Sequence, residues 1–233
     1  MRANKQPRTV GHRGASALAP ENTILAVERA IEHGLDLVEV DVHLSRDGEL
    51  VVVHDGAVQL NGRASPVGGL DAAELARIPL GEGQGVPRLA EVLALARGRI
   101  GVYVELKGRH TGAALGDLVT SGGAAGAEVI SGSFEPALVE ELRAAAPAVP
   151  RSVLFRPTGS AAMIAICAAV GATYAHPCFR PLTPAIVGEL HAAGLMVMAP
   201  HTNDPAEARA FADLGIDVLA SDDPRVLSPP RAT

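Results

Sequence analysis

The chain has 233 residues, of which 48% are hydrophobic and only 3% aromatic, with no Trp and a formal net charge of -6 at pH 7. That length permits one large domain or two small ones, and the apolar share suffices for a sizeable core. The acidic balance and the scattered basic residues argue against nucleic acid and against stable membrane association.

Short apolar runs alternate with helical patterns along the whole chain. "RTVGH" reads as a first strand. "NTILAVERAIEHG" follows as a helix, with Ile24, Val27, Ala30 and Ile31 on one stripe and Gly34 as its stop. "DLVEVDV" is a second strand; after a longer insertion come the helix "RLAEVLALARG" and the strand "IGVYVELK". "AEVIS", "RSVLF", "TYAHP", "LMVMAP" and "DVLASDDP" complete eight forward strands. Strands alternating with helices imply a parallel sheet, and eight units in this length predict an α/β protein of the (β/α)8 TIM-barrel type. The reading is a single domain over residues 1–233, with a short β-hairpin and cap insertion at about 56–87 after the second strand. "GHRGAS" is not the glycine fingerprint of a dinucleotide site. Cys167 and Cys178 make no disulfide framework. No apolar run is long enough to span a membrane and "MRANKQPRTVGHRG" has no signal-peptide core, so a cytoplasmic location is expected.

The second strand carries an unusual number of ionisable groups: Glu39, Asp41, His43, then His54 and Asp55. "SRDGEL" suggests a two-residue hairpin tip at Asp47-Gly48. With Arg46 opposite Glu49, His54 lies across from Asp41, and alternation gathers Glu39, Asp41 and His54 on one face. Other strand ends carry related chemistry: His12 and Arg13 after the first strand, Glu105 and Lys107 at the end of the third. Barrel enzymes build their sites at these C-terminal ends. Glu39, Asp41 and Glu105 form an oxygen-rich set suited to Mg2+ or Ca2+ rather than zinc. Two histidines and two cations beside it point to acid–base chemistry on an anionic, phosphate-bearing substrate.

"GHRGASALAPENTILAVERAIEHGLDLVEVDVHLSRDGELVVVHD" closely resembles the opening of the glycerophosphodiester phosphodiesterases, and "VPRLAEVL", "VYVELK", "ISGSFEP" and "LGIDVLASDDP" resemble that family's later blocks. The resemblance implies a barrel that hydrolyses glycerophosphodiesters to sn-glycerol 3-phosphate and an alcohol with one divalent ion, Mg2+, Ca2+ or Mn2+. It implies His12 and His54 as the acid/base pair, Glu39, Asp41 and Glu105 as metal ligands, and Arg13 and Lys107 as phosphate holders. Lysophospholipids or another phosphodiester are alternative substrates, and a non-catalytic phosphodiester-binding protein is the alternative of another class. The expected partner is thus a small-molecule phosphodiester; no feature sets an oligomeric state.

Other residues carry two readings each. Glu21 in "PENT" is either functional or an acid at a helix start. Asp55 and Asp222 read as orienting or loop-fixing groups, His43 as a rim residue. His176 and His201 sit at strand ends as capping groups or substrate contacts, and His33 and His191 read as structural. Phe134 either lines the pocket or packs beneath a loop. Two departures from the resembled family stand out. A tryptophan common after the penultimate strand is missing, with Pro200 at its place in "APHTND", and the insertion is short and glycine-rich. Both bear on substrate identity and neither touches the histidine or carboxylate positions.

Overall fold

The computed structural model describes residues 6–60 and 62–227. In chain order the elements are β1 (Arg8–Gly11), α1 (Ile24–Glu32), β2 (Leu37–Leu44), β3 (Leu50–Val52), β4 (Ala57–Leu60), β5 (Arg63–Pro66), α2 (Ala72–Leu75), α3 (Leu89–Ala96), β6 (Gly101–Leu106), α4 (Thr111–Thr120), β7 (Val129–Ser133), α5 (Pro136–Ala145), β8 (Arg151–Phe155), α6 (Ser160–Val170), β9 (Tyr174–Pro177), α7 (Pro184–Ala192), β10 (Met196–Val197), α8 (Pro205–Asp213), β11 (Val218–Ser221) and α9 (Pro224–Leu227). The parallel strands run in the order β10-β9-β8-β7-β6-β2-β1-β11. A Met198–Val218 bridge joins the two ends, with Ala199 N–H donating to Val218 O at 3.0 Å. This is the (β/α)8 barrel expected from the alternation of strands and helices.

Strand alternation sorts the apolar residues into two layers. Val38, Val40 and Val42 on β2 and Val102, Val104 and Leu106 on β6 face the helices in the large outer core. Leu37 and Tyr103 join Val10, Ile130, Leu154 and Met198 inside the barrel. Each fully buried side chain of this size contributes about 1.5–3 kcal/mol. Gly132 on β7 is needed for the interior packing, because a Cβ there would lie 2.3 Å from Tyr103 Oη.

Helix α4 shows why one barrel helix is hard to see as an apolar stripe. Its buried face toward α5 is built partly from Gly112 and Gly116, and a Cβ on either would collide with Leu138 O at 2.0 Å or Ala145 Cβ at 2.3 Å. Close backbone approach replaces side-chain bulk there.

The β2–β3 hairpin corrects the expected register. Leu44 pairs with Leu50 and Val42 with Val52, so three residues, Arg46-Asp47-Gly48, form the tip. Ser45 causes the shift: its hydroxyl donates to Asp47 Oδ1 at 2.6 Å and accepts from Glu49 N–H at 3.0 Å, and Gly48 takes φ 82°. A glycine in the left-handed region suits a three-residue tip. His54 therefore does not stand opposite Asp41; Asp41 O accepts from Val53 N–H at 3.0 Å, and His54 lies beyond the end of β3. The insertion that follows pairs β4 with β5 and gathers Val58, Val67, Leu75, Ile78 and Val86 around Val51. No helix among the described residues is long and apolar enough to cross a membrane.

Candidate active site

Inside the barrel mouth, the alternation that buries Leu37 and Tyr103 brings carboxylates to the top of the same strands. Asp41 on β2 is in register with Glu105 on β6, and Glu39 lies one inward position below Asp41. One oxygen from each of the three lies within 4.8 Å of the others. Glu39, Asp41 and Glu105 are only 6%, 1% and 8% exposed. Burial, and then the charges of Asp41 and Glu105, push the Glu39 carboxyl well above the usual range.

Two cations offset part of this charge. Lys107 Nζ sits 2.8 Å from Glu105 Oε1 and 3.2 Å from Asp41 Oδ1. Arg13 Nε lies 3.4 Å from Asp41 Oδ2, and its guanidinium is held by both oxygens of Glu21 at 3.0 Å. Glu21 thus aims Arg13, a role its position at a helix start conceals. The tight turn after β1 makes this possible: Arg13 has φ 54° and Gly14 φ 85°. Gly14 is also pressed against α1, where a Cβ would lie 2.4 Å from Ala26 Cβ. The turn delivers Arg13 N–H to Glu39 Oε2 at 2.7 Å. Glu39 Oε1 is buried and has no hydrogen-bond partner. A buried, unpartnered carboxylate oxygen beside two more carboxylates fits a hard divalent cation, which takes oxygen ligands.

Asn22 is the residue at this cluster that the motif alone does not reveal. Its amide donates to Asp41 Oδ2 at 2.9 Å and its carbonyl accepts from Asp41 N–H at 3.1 Å. Asn tolerates the left-handed φ of 58° that the geometry requires.

The two histidines are held alike. His12 follows β1, and its Nδ1 lies 2.7 Å from Asp222 Oδ1, just after β11. Asp222 therefore does more than fix a loop, as its position alone suggests. It also accepts from Ser16 Oγ at 3.1 Å and from Asn203 Nδ2 at 2.7 Å. The bond from His12 first, then that from Asn203, hold its carboxyl well below the usual range. His54 Nδ1 lies 2.8 Å from Asp55 Oδ1, which makes Asp55 its orienting group. His43 donates from Nε2 to His54 O at 3.1 Å, and burial lowers its pKa, favouring the neutral form. It is a brace for the His54 loop rather than a rim group. His54 follows Val53, whose N–H bonds Asp41 O at 3.0 Å, so its loop leaves the hairpin beside the carboxylate cluster.

His201 lies flat on His12, with ring centroids 4.3 Å apart and planes 11° from parallel. The wall expected to lack a ring for want of tryptophan therefore carries one, one residue after Pro200. His12, His201 and Asp222 are close enough to be weighed as a metal set. Stacked rings, however, send their in-plane lone pairs along parallel lines that do not meet at one ion, so the arrangement reads as a dyad with a stacked neighbour.

The remaining candidates divide between mouth and scaffold. Phe134 packs on the interior core. Ser133 donates to Leu106 O at 2.7 Å and ties β7 to β6. His176 bonds to Ala199 O at 3.1 Å, and its pKa is pushed down to about 4, chiefly by burial. His33 bonds to Arg29 O at the end of α1, and His191 to Asp217, both remote in role from the mouth.

The family model described as the glycerophosphoryl diester phosphodiesterase family matches residues 12–226. Bacillus subtilis YhdW is 30% identical, over 92% of this chain and 94% of its own length. A glycerophosphodiester phosphodiesterase from Agrobacterium tumefaciens superposes with a TM-score of 0.79 at 30% identity, over 95% of this chain and 99% of that one. An Oleispira antarctica phosphodiesterase, solved in complex with the product sn-glycerol-3-phosphate, superposes with a TM-score of 0.87 at 25% identity over 95% of each chain.

Proposed function

The chain belongs to the glycerophosphoryl diester phosphodiesterase family, and from that premise we propose that it hydrolyses glycerophosphodiesters to sn-glycerol 3-phosphate and an alcohol with metal-assisted His/His acid–base catalysis. The observation that carries this reading is the pairing of one buried three-carboxylate cluster with two histidines, each anchored at Nδ1 by an aspartate.

Glu39, Asp41 and Glu105 would hold the divalent ion, Mg2+, Ca2+ or Mn2+. Without an ion, burial and the neighbouring Asp41 and Glu105 charges disfavour ionisation of Glu39, and Arg13 is already paired with Glu21, so the three carboxylates need a further positive charge to be ionised together. A divalent cation bound there would supply that charge and favour the approach of an anionic phosphodiester. When bound, the ion supplies Lewis-acid polarisation of a phosphoryl oxygen and of a nearby hydroxyl. Arg13 and Lys107 hold the phosphoryl oxygens and stabilise the charge that spreads over them.

The histidines move the protons. With Nδ1 committed to an aspartate, Nε2 of each ring is left to exchange a proton with the substrate. One takes the proton of the attacking hydroxyl, the one adjacent to the phosphate on glycerol. The new P–O bond forms, the bond to the leaving alcohol breaks, and the other histidine protonates that alcohol. Water then opens the cyclic phosphate with the two roles exchanged. A diester lacking the adjacent hydroxyl is accordingly expected to be a poor substrate, and equal turnover of it would sink the cyclic route.

The deciding experiment is release of sn-glycerol 3-phosphate from a panel of glycerophosphodiesters with Mg2+, Ca2+ or Mn2+, repeated after chelation. Metal-dependent release is expected; no release under any metal overturns the assignment.

A further inference from the structure

Arg156 follows β8, which stands four strands from β1 in either direction round the barrel. It thus faces the mouth from the side opposite His12 and Arg13. Its guanidinium carbon lies 4.9 Å from the centre of the Phe134 ring. Phe134, like Cys178, packs against the interior core of the barrel, so the Arg156–Phe134 pair is anchored there. Cys178 N–H donates to Phe155 O at 2.9 Å, so the C-terminal ends of β8 and β9 are tied together where Arg156 begins.

The mouth cations differ in what already occupies them. Arg13 is tied to Glu21 and Asp41, and Lys107 to Asp41 and Glu105. Among the described residues, no carboxylate forms an ion pair with Arg156, which is exposed. A guanidinium stacked on an aromatic face is held in place while its N–H edges stay available for an anion. The same stacking puts a cation over a face of Phe134 that would otherwise attract a quaternary ammonium group.

We propose that Arg156, braced on Phe134, forms an anion-reading subsite across the mouth from the phosphodiester phosphorus, and that it selects diesters whose alcohol carries a second phosphate or a carboxylate over those whose alcohol carries a quaternary ammonium. This rests on the diesterase reading above and adds the chemical class of the leaving alcohol. The bidentate geometry of guanidinium with an oxyanion gives the selection its direction.

The test compares glycerophosphoinositol 4-phosphate, glycerophosphoinositol and glycerophosphocholine in the wild type and in Arg156→Met, which keeps an apolar stem over the ring. The wild type is expected to favour the phosphorylated inositol diester over its neutral parent by about tenfold in kcat/KM, a scale set by one charge-assisted contact. Arg156→Met abolishes that ratio, leaves glycerophosphoinositol within about twofold, and raises glycerophosphocholine. Equal effects on all three substrates, or an unchanged ratio, overturn the subsite. Should the wild type turn over no diester, the diesterase reading fails on its own. Calorimetric affinities of the same three compounds still decide the subsite, sustained if tighter binding of the phosphorylated diester disappears in Arg156→Met and overturned if it persists or never existed.

Discussion

Asp222 Oδ1 stands 2.7 Å from His12 Nδ1, although the two residues are 210 positions apart in the chain. Barrel closure makes them neighbours: β1 and β11 pair with Gly11 opposite Ser221, and His12 N–H donates to Ser221 O at 2.9 Å. On the proposed mechanism the ionised carboxylate keeps a proton on Nδ1 and stabilises the charge His12 would acquire when Nε2 takes another. Asp222→Asn preserves shape but offers an amide, which can present the wrong atom to the ring. A fall of about 100-fold or more in kcat is expected, the scale of a lost general acid or base. Asp55, 80% exposed beside His54, shares its charge with water, so Asp55→Asn is expected to cost far less. Steady-state kinetics of the two variants, with circular dichroism to confirm folding, decide the point; Asp222→Asn at half of wild-type activity would falsify it.

Asn22 holds Asp41 at both its side chain and its backbone. Such a partner fixes the orientation of a metal ligand, and its loss commonly lowers metal affinity by about 10–100-fold. Asn22→Ala is therefore expected to need correspondingly more divalent ion for half-maximal activity, with little change in the rate at saturation. The same ion is expected to raise the melting temperature of the wild type, since binding to the folded state alone adds about 2.7 kcal/mol at a hundred times Kd. Thermal unfolding with chelator and with graded Mg2+, Ca2+ or Mn2+ measures both. An identical ion requirement in wild type and Asn22→Ala would remove Asn22 from the site.

The parts of this site that are legible in the sequence are those governed by short-range periodicity. Alternation along β2 and β6 is enough to put Glu39, Asp41, Glu105 and Lys107 on one face, because a strand repeats every two residues whatever its partners. The placement of His54 by hairpin pairing fails by one residue, because the side chain of Ser45 rather than the Asp47-Gly48 dipeptide decides the turn. Asp222, Asn22 and His201 depend on which strands and loops meet in space. For Asp222 a signal was available, since the first and last strands of a closed barrel must be adjacent. For Asn22 the "PENT" motif marks the loop but not the contact with Asp41, which lies 19 positions away. His201 offered no signal beyond a ring-bearing residue next to Pro200.

His201 supplies a flat face against His12 at the wall from which tryptophan is missing. A ring there restricts the His12 imidazole to one orientation and shields one of its faces from water. His201→Ala frees both, and a loss of about tenfold in kcat/KM is expected, within the range of a displaced catalytic group. His201→Phe keeps the stack without the titratable nitrogens and is expected to retain most of the activity. If Ala and Phe variants behave alike, stacking is not what His201 provides.

His176 sets part of the acid stability. Its pKa falls from 6.5 to about 4 in the folded protein, mainly through burial, while its Nε2–H donates to Ala199 O. The unfolded chain takes up this proton as the pH drops below the ordinary histidine value, and the folded chain resists until about pH 4. Stability is thus undiminished by this group above its unfolded pKa and is lost as pH falls across the interval, by at most about 3 kcal/mol. Asp222 and Glu207 are held low in the folded state, so their contributions are lost at lower pH, as it falls through the carboxylate range. Between about pH 4 and 6.5 the lowered histidines reduce stability as the pH falls, while Glu39 and Glu105, whose carboxyls burial raises, take up protons more readily in the folded state and oppose that fall. His43 and His201 are shifted in the same direction and leave a residual slope. His176→Gln retains a neutral donor toward Ala199 O and is expected to flatten the fall in urea midpoint across that window. An unchanged slope would mean that His176 is protonated in the folded protein as readily as in the unfolded chain.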